Sequence, residues 1–365
     1  MRETSGCAAS ADATAAYAAG ASPVAGAAAS AGPLAVPEKL AYPSHDGRTR
    51  IYALAWDPVF SSSQGGRPRA VVQIVHGMCE HIGRYGEFAR FLAARGFAVC
   101  GEDHIGHGES AADPGVFGHL PPREGKEILV ADVDALRRLA QRRYGTDVPN
   151  FLFGHSMGSF IVRSFLTRPC ARDLSGAILC GTGQQPRLLS AAGNLLARAI
   201  GRVAGPRRRS AFIDGLGAGA YGKRISNART PFDWLSTDPA VVDAYLSDER
   251  CGFMFTVGGY AALTDLTGEI ADPACVARVP YDIPLLFVAG AEDPVGANGK
   301  CVHAAAQALR RAGVERVDEI LYPGMRHEIL NEPGRAQVMS DILSWLEACL
   351  ERPRRIEPAP SEKGR

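Results

Sequence analysis

The chain has 365 residues, of which 46% are hydrophobic and 22% charged, and its formal net charge is +1. This length suits one large α/β domain with an insertion, or two modest domains. The near-neutral charge excludes the basic footprint of a nucleic-acid-binding protein, and no uninterrupted apolar run is long enough to span a bilayer.

The nine cysteines are odd in number and scattered along the chain. Several of them, such as Cys100 and Cys180, lie in apolar runs, so we interpret them as small core residues and not as a disulfide framework. Neither a C-x-x-C pair nor a cysteine–histidine spacing typical of zinc sites is present, and we predict no metal.

Both ends of the chain differ in composition from the rest. Residues 1–38 are rich in alanine, glycine, serine and proline and lack periodic apolar positions, which predicts a disordered tail. A basic start and a Leu/Val-rich segment, as in a signal peptide, are missing, so we expect a cytoplasmic protein. Residues 353–365 are polar and contain proline, and we predict a flexible C-terminal tail.

Between the tails, strand-like and helix-like runs alternate. An antiparallel pair, residues 38–42 and 50–56, is predicted around the turn at His45-Asp46-Gly47. Further strands are predicted at 69–75, 97–100, 151–153, 177–180, 283–289 and 317–321. Helices are predicted at 85–95, 124–144, 159–168, 300–311 and 335–350. Apolar strands that alternate with helices are typical of a mostly parallel sheet covered on both faces.

One stretch interrupts this alternation. Residues 183–251 contain no clear strand, although the sheet resumes at Ile283. An insertion at this point is typical of a cap over the carboxyl edge of the sheet, where open α/β sheets bind ligands. We therefore divide the folded part into a core at 39–183, a cap at 184–251 and a second core part at 252–352.

The most informative motif is Gly154-His155-Ser156-Met157-Gly158, which lies between a strand-like and a helix-like run. A G-x-S-x-G in this setting is typical of a nucleophile elbow, a sharp strand-to-helix turn that exposes a serine hydroxyl above a sheet. Glycine tolerates the close backbone approach and the strain of such a turn. Ser156 is therefore the candidate nucleophile.

A serine nucleophile needs a histidine base that is oriented by a carboxylate, in the chain order serine, acid, histidine. Asp293 follows a late strand and is the favoured acid, with Glu292 as a competitor and an Asx-turn before Pro294 as the purely structural alternative. His327 lies in the loop after the last strand and is the favoured base. His303 falls on a helix-like segment and is less suited.

Two backbone N–H groups must stabilise the negative oxygen of the tetrahedral intermediate. We expect one from Met157, directly after the nucleophile, and the other from Met78, after the early strand. The alternative for His76-Gly77 is an ordinary strand exit. The segment 103–110 is interpreted as a structural loop near the pocket, and a metal role for His104 and His107 is disfavoured because no further ligands accompany them.

Several of these segments together resemble the α/β-hydrolase group of monoacylglycerol lipases and bacterial lysophospholipases, the serine aminopeptidase-like hydrolases. The resemblance covers about residues 38–351 and is carried by His76-Gly77-Met78-Cys79-Glu80-His81 with Arg84-Tyr85, by Asp103-His104-Ile105-Gly106-His107-Gly108-Glu109-Ser110, by Gly154-His155-Ser156-Met157-Gly158-Ser159 and by Arg326-His327-Glu328. It implies the α/β-hydrolase fold and a carboxylesterase for single-chain lipid esters or related small esters. The chemistry of the triad itself requires no cofactor.

The resemblance also implies Met78 and Met157 as oxyanion donors. The sequence Asp293-Pro294-Val295-Gly296 is more similar to a bacterial branch than to the animal lipases, and the cap lacks an acidic cluster that would bind a peptide amino terminus. Acyl transfer and perhydrolysis use the same triad and remain alternatives. A ligand-binding homologue without turnover is a further alternative.

The cap begins with an amphipathic segment. Its apolar residues fall on one helix face: Leu188, Leu189, Ala192, Leu195, Leu196, Ala199, Ile200 and Val203. Arginines accompany it at 187, 198, 202 and 207–209. Such a helix either contacts a membrane surface or, as we expect here, packs its apolar face onto the pocket as a lid. Phe253, Met254 and Phe255 either line an acyl site or belong to the core.

Overall fold

The computed structural model describes residues 35–59 and 66–352. The predicted tails at 1–38 and 353–365 lie outside these ranges except for residues 35–38, the last of which begins the first strand. Within the described ranges, none of the helices combines the length and apolar character needed to cross a bilayer.

The centre of the fold is an eight-stranded sheet with the order β1-β2-β4-β3-β5-β6-β7-β8. The strands are β1 (Glu38–Pro43), β2 (Arg50–Trp56), β3 (Val71–Val75), β4 (Ala98–Glu102), β5 (Asn150–His155), β6 (Gly176–Cys180), β7 (Leu285–Gly290) and β8 (Val317–Tyr322). Strand β2 pairs antiparallel with β1 and β4, and the strands from β4 to β8 are parallel. The predicted mostly parallel sheet is confirmed.

The described residues form ten α-helices. They are α1 (Gly86–Ala93), α2 (Gly125–Tyr144), α3 (Met157–Phe165), α4 (Arg187–Ala204), α5 (Ala211–Leu216), α6 (Pro239–Ser247), α7 (Val257–Ile270), α8 (Pro273–Val276), α9 (Lys300–Arg311) and α10 (Arg335–Glu351). Helix α3 begins two residues earlier and ends three residues earlier than predicted. Its early end has a local cause, because Pro169 holds Arg168 in an extended conformation.

The inner strands bury both of their faces. Along β5, Leu152 points into one core cluster and Phe151 and Phe153 into the other. The first cluster also contains residues of α2, α3, α7 and α9, and the second contains residues of α1 and α10. This arrangement explains why the inner strands are apolar at nearly every position.

All helices from α4 to α8 lie between β6 and β7 along the chain. The segment 184–251, predicted to be the cap, contributes α4, α5 and α6. Strand-like pairing by residues of this segment is limited to one isolated antiparallel β-bridge, between Arg209 and Thr256. The boundaries of the cap stay a prediction.

The predicted packing of α4 is wrong. The helix forms as expected, but its side chains that contact α7 are mostly polar or small. Ser190 bonds to Thr267 (2.9 Å), Asn194 bonds to the Ala261 carbonyl (2.8 Å), and Ala197 is buried. Most of its apolar face points to solvent, with Leu188 84%, Leu195 69% and Val203 91% exposed. The hydrogen-bonding partners on α7 fix the orientation of α4.

Helix α3 begins unusually close to the neighbouring strand β3. A methyl group at Gly158 would overlap the carbonyl oxygen of Val75 and lie 2.5 Å from that of His76. Both obstacles are backbone atoms and cannot rotate away. The start of α3 therefore requires glycine.

We expect Gly158→Ala to lower the free energy of unfolding by about 3 kcal/mol, because either α3 or β3 must shift. Urea denaturation followed by circular dichroism measures this loss. Gly215→Ala is the matched control, since Gly215 is an exposed helical glycine with open space around it. Equal stability of the two variants would contradict the argument.

Candidate active site

Ser156 lies at the sharp turn between β5 and α3. Its φ of 52° and ψ of −119° are unfavourable for a residue with a side chain. The flanking glycines permit this turn, since a methyl group at Gly154 would lie 2.5 Å from the carbonyl oxygen of Gly158. Backbone strain of this kind is typical of a nucleophile elbow.

Asp293 and His327 form a buried hydrogen-bonded pair. His327 Nδ1 lies 2.9 Å from Asp293 Oδ2, and the two residues are 1% and 0% exposed. Asp293 Oδ1 accepts the Val295 N–H (2.8 Å), so the aspartate also makes the turn that its structural alternative predicted. A carboxylate on Nδ1 holds the proton on that nitrogen and leaves Nε2 able to accept one.

The competing residues lie elsewhere. Glu292 is exposed, and its backbone N–H bonds to the Met325 carbonyl. His303 lies on α9, exposed, with its Nδ1 3.2 Å from Glu319. Neither side chain takes part in the buried pair, so the structure favours Asp293 and His327 over both.

The end of β6 connects the serine turn with the histidine loop. The Ser156 N–H donates to the Cys180 carbonyl at 2.9 Å. The next residue, Gly181, lies against His327, since a methyl group there would be 3.1 Å from its ring. The ring of His155 lies 4.7 Å from that of His327. Ser156 and His327 thus follow parallel strands to one edge of the sheet, and proton transfer between them stays a prediction.

The loop after β3 lies on the other side of Ser156. A methyl group at Gly77 would lie 3.1 Å from Ser156 Cβ, which places Met78 next to the nucleophile. Met157 is the first residue of α3, where the positive end of the helix dipole lies. No hydrogen bond of the described residues uses the backbone N–H of either methionine. Their role as oxyanion donors stays a prediction.

Three buried histidines support this loop. The rings of His76 and His104 are 4.0 Å apart, and those of His76 and His107 are 5.3 Å apart. His76 Nε2 accepts the His104 N–H, and the His76 Nδ1 proton goes to the Gly77 carbonyl at 2.8 Å. Burial lowers the pKa of His76 far below its usual range and that of His107 to about 3. The neutral rings of His76 and His107 therefore help to hold the loop after β3 in place.

The predicted cap contacts the histidine loop directly. The His327 N–H donates to the Trp234 carbonyl (3.4 Å), and the Glu328 N–H donates to the Leu235 carbonyl (2.7 Å). Trp234 also packs its ring 4.9 Å from that of His327. Glu332, which is fully buried, accepts the Thr237 and Arg326 N–H groups. This part of the cap covers the imidazole.

A group of buried charges near the site was not predicted. Glu80 bonds to Gly77, Arg84 and His155, and Arg84 bonds to Glu328, the residue after His327. The signal for it was present in the sequence. Glu80, Arg84 and Glu328 are charged residues within the motifs that carry the resemblance.

The positions of possible ligand side chains bear on metal binding. Among the described residues, His81, Asp248 and Cys251 form the group whose potential ligand atoms lie together. His81 Nε2 already bonds to Asp248 (2.8 Å), its Nδ1 accepts the Gly83 N–H, and Arg250 also bonds to Asp248. These bonds use the side chains of His81 and Asp248. Of the stretch 253–255, Phe255 belongs to the core and Phe253 packs against it.

Comparison with known proteins identifies the family. Residues 66–334 match the model of the Hydrolase_4 family, described as serine aminopeptidase, S33. The chain is 31% identical over 309 residues to a monoacylglycerol lipase of Mycolicibacterium smegmatis, and the match covers 82% of this chain and 94% of that protein.

Two solved structures agree in fold and in sequence. One is a highly thermostable carboxyl esterase from Bacillus coagulans in complex with glycerol, with a TM-score of 0.79 and 30% identity over 86% of this chain and 99% of that one. The other is a lipase in an open form, with a TM-score of 0.74 and 33% identity over 87% of this chain and 100% of that one. These matches confirm the predicted fold and the predicted class of ester hydrolase. The chain belongs to the Hydrolase_4 family of α/β-hydrolases.

Proposed function

We propose that this protein hydrolyses monoacylglycerols and related single-chain lipid esters, with Ser156 as nucleophile, His327 as base and Asp293 as the residue that orients His327. The observation that carries the proposal is the buried hydrogen bond between Asp293 and His327, next to a serine in a strained elbow. Its relatives named monoacylglycerol lipase and carboxyl esterase support this substrate class.

The proposed reaction assigns one step to each of these groups. Ser156 Oγ attacks the ester carbonyl carbon while His327 Nε2 takes the hydroxyl proton. The carbonyl oxygen becomes negative and is held by the Met78 and Met157 N–H groups. The ester bond then breaks, and His327 gives the proton to the departing alcohol oxygen. Water repeats these steps on the acyl-enzyme and releases the fatty acid.

Removal of the triad groups tests the proposal. We expect Ser156→Ala to lose activity on a monoacylglycerol by several orders of magnitude, and Asp293→Asn to lower kcat by roughly 10⁴-fold, because the amide favours the wrong tautomer of His327. The measurement is fatty-acid release by purified, folded protein.

Glu292→Gln is the control, because it neutralises the neighbouring exposed acid and leaves the buried pair intact. Covalent labelling by a fluorophosphonate probe should occur in wild type and be lost in Ser156→Ala. Wild-type turnover by Ser156→Ala would reject the assignment, and absent labelling of wild type would favour a binding protein without turnover.

The acyl part of the substrate can be tested separately. We expect kcat/KM on p-nitrophenyl esters to rise from acetate to medium or long acyl chains, because each buried methylene contributes about 0.8 kcal/mol. Adding glycerol or hydrogen peroxide as a competing acceptor distinguishes hydrolysis from acyl transfer and perhydrolysis. A series that peaks at acetate would contradict the lipid assignment and would favour a small-ester hydrolase. Lysophospholipids are the second lipid class to assay.

The cytoplasmic location of the protein stays a prediction.

The outward face of the cap supports a second part of the proposal, contact with lipid surfaces. We define the outer cap face by its exposed apolar residues Leu188, Leu189, Leu195, Val203, Phe212 and Leu216. Arg202, Arg207 and Arg208 are exposed and form no ion pair with other described residues. Apolar side chains flanked by unpaired arginines fit an anionic membrane surface.

We expect the double variant Arg207→Glu/Arg208→Glu to bind vesicles with anionic lipid at least 10-fold more weakly, since each arginine near such a surface contributes about 1 kcal/mol. Leu195→Ser/Val203→Ser should weaken binding to the same vesicles, because the lost contacts are apolar. Co-sedimentation measures both. Leu246→Ser, at an exposed leucine of α6, is the control. Unchanged binding of both double variants would exclude this face.

A further inference from the structure

Four charged or titratable side chains meet below the proposed site. We call Glu80, Arg84, His155 and Glu328 the charge cluster. Glu80, His155 and Glu328 are buried, and the Arg84 side chain is 13% exposed. Groups of this kind are costly to bury unless each finds a partner, so their contacts indicate what the cluster holds in place.

Glu80 makes the largest number of these contacts. Its Oε1 accepts the Gly77 N–H (2.6 Å) and the Tyr85 hydroxyl (2.7 Å), and it lies 3.1 Å from His155 Nδ1. Its Oε2 accepts from Arg84 (2.7 Å). One carboxylate therefore joins the loop after β3 to the strand that ends at the nucleophile.

The bond to Gly77 bears on the proposed oxyanion donor. Glu80 holds the N–H of Gly77, and His76 Nδ1 holds its carbonyl. The Gly77 carbonyl and the Met78 N–H belong to one planar peptide unit, so fixing the carbonyl also fixes the direction of that N–H. His76 thus holds the peptide that presents the Met78 N–H, and Glu80 holds the N–H of the peptide directly before it.

His155 connects the same carboxylate to the histidine loop. Its Nδ1 faces Glu80, and its Nε2 lies 3.3 Å from the backbone carbonyl of His327. The Tyr85 hydroxyl lies 2.9 Å from the same Nδ1 but donates its proton to Glu80. The carboxylate and the carbonyl are acceptors, so these contacts favour protons on both ring nitrogens. Burial lowers the pKa of His155, but the hydrogen bond and charge of Glu80 outweigh this and raise the pKa above its ordinary value.

Arg84 closes the cluster from the other side. It forms a two-pronged ion pair with Glu328 (2.6 and 2.7 Å), the residue after His327. Its guanidinium lies 4.9 Å from the ring of Tyr245 in the predicted cap. With His155 protonated, the cluster holds two positive and two negative charges and is neutral, which is the state that burial favours.

We propose that Glu80 is a positioning residue for catalysis: its carboxylate fixes the His76–Gly77 peptide, directly before the one that presents the Met78 N–H, and, through a protonated His155, the backbone of His327. This inference rests on the proposed function. It adds that one buried charge fixes the positions of both the proposed oxyanion donor and the proposed catalytic histidine, although these residues lie on loops after different strands.

The test is Glu80→Gln, which keeps the size and one acceptor oxygen but removes the charge. We expect kcat on a monoacylglycerol to fall roughly 10- to 100-fold with KM changed less than about twofold, because displaced donors act mainly in the transition state. Rates are normalised to the fraction of molecules that a fluorophosphonate titrates. Glu87→Gln is the matched control, since Glu87 forms an exposed ion pair with Arg335.

The protonation of His155 provides a readout that does not depend on a variant. In ¹⁵N NMR of histidine-labelled wild-type protein at pH 7, both ring nitrogens of His155 should carry protons, and in Glu80→Gln only one. A singly protonated His155 in wild type would overturn the inference, as would normal kcat in Glu80→Gln. Full activity of Ser156→Ala would instead reject the proposed function, so the two failures are distinguishable.

Discussion

The site depends on the close approach of helix α3 to the end of strand β3. Ser156 adopts a backbone conformation that costs on the order of 1–3 kcal/mol, and the surrounding packing must hold it there. Gly158 lies against the carbonyls of Val75 and His76, so the start of α3 and the loop after β3 cannot separate without losing core contacts. The same contact brings the predicted donor Met78 next to the serine. The strained backbone of Ser156 and its closeness to Met78 therefore both result from the contact between α3 and β3.

The residues found from the sequence share a property. Ser156, Asp293 and His327 each follow a strand of the sheet, and the carboxyl ends of parallel strands meet at one edge. Local patterns were therefore enough to select these positions, while their catalytic roles stay predictions. The charge cluster was missed because its bonds join distant positions. Arg84 and Glu328 are 244 residues apart, and no local pattern indicates that they pair. A resemblance identified these residues as part of motifs but said nothing of their contacts.

Helix α4 shows a second limit of reasoning from periodicity. The spacing of its leucines predicted the helix and its apolar face, yet the other face packs on α7. Ser190, Asn194 and Arg198 find hydrogen-bonding partners at Thr267, Thr264 and Asp265. The partners lie about 70 residues further along the chain, where no pattern within α4 reveals them. An apolar face indicates burial only when the protein supplies an apolar surface opposite, and here α7 supplies a polar one.

The two ends of the predicted cap have different attachments. Residues 234–237 are bonded to the backbone of His327 and Glu328 and to the buried carboxylate of Glu332, so displacing them would disturb the imidazole. Helices α4 and α5 instead expose Leu188, Leu195 and Phe212 and contact the histidine loop through none of the hydrogen bonds of the described residues. The hydrogen bonds of α4 run to α7 instead, so the part of the predicted cap that exposes apolar residues and the part that covers the base are held by different elements.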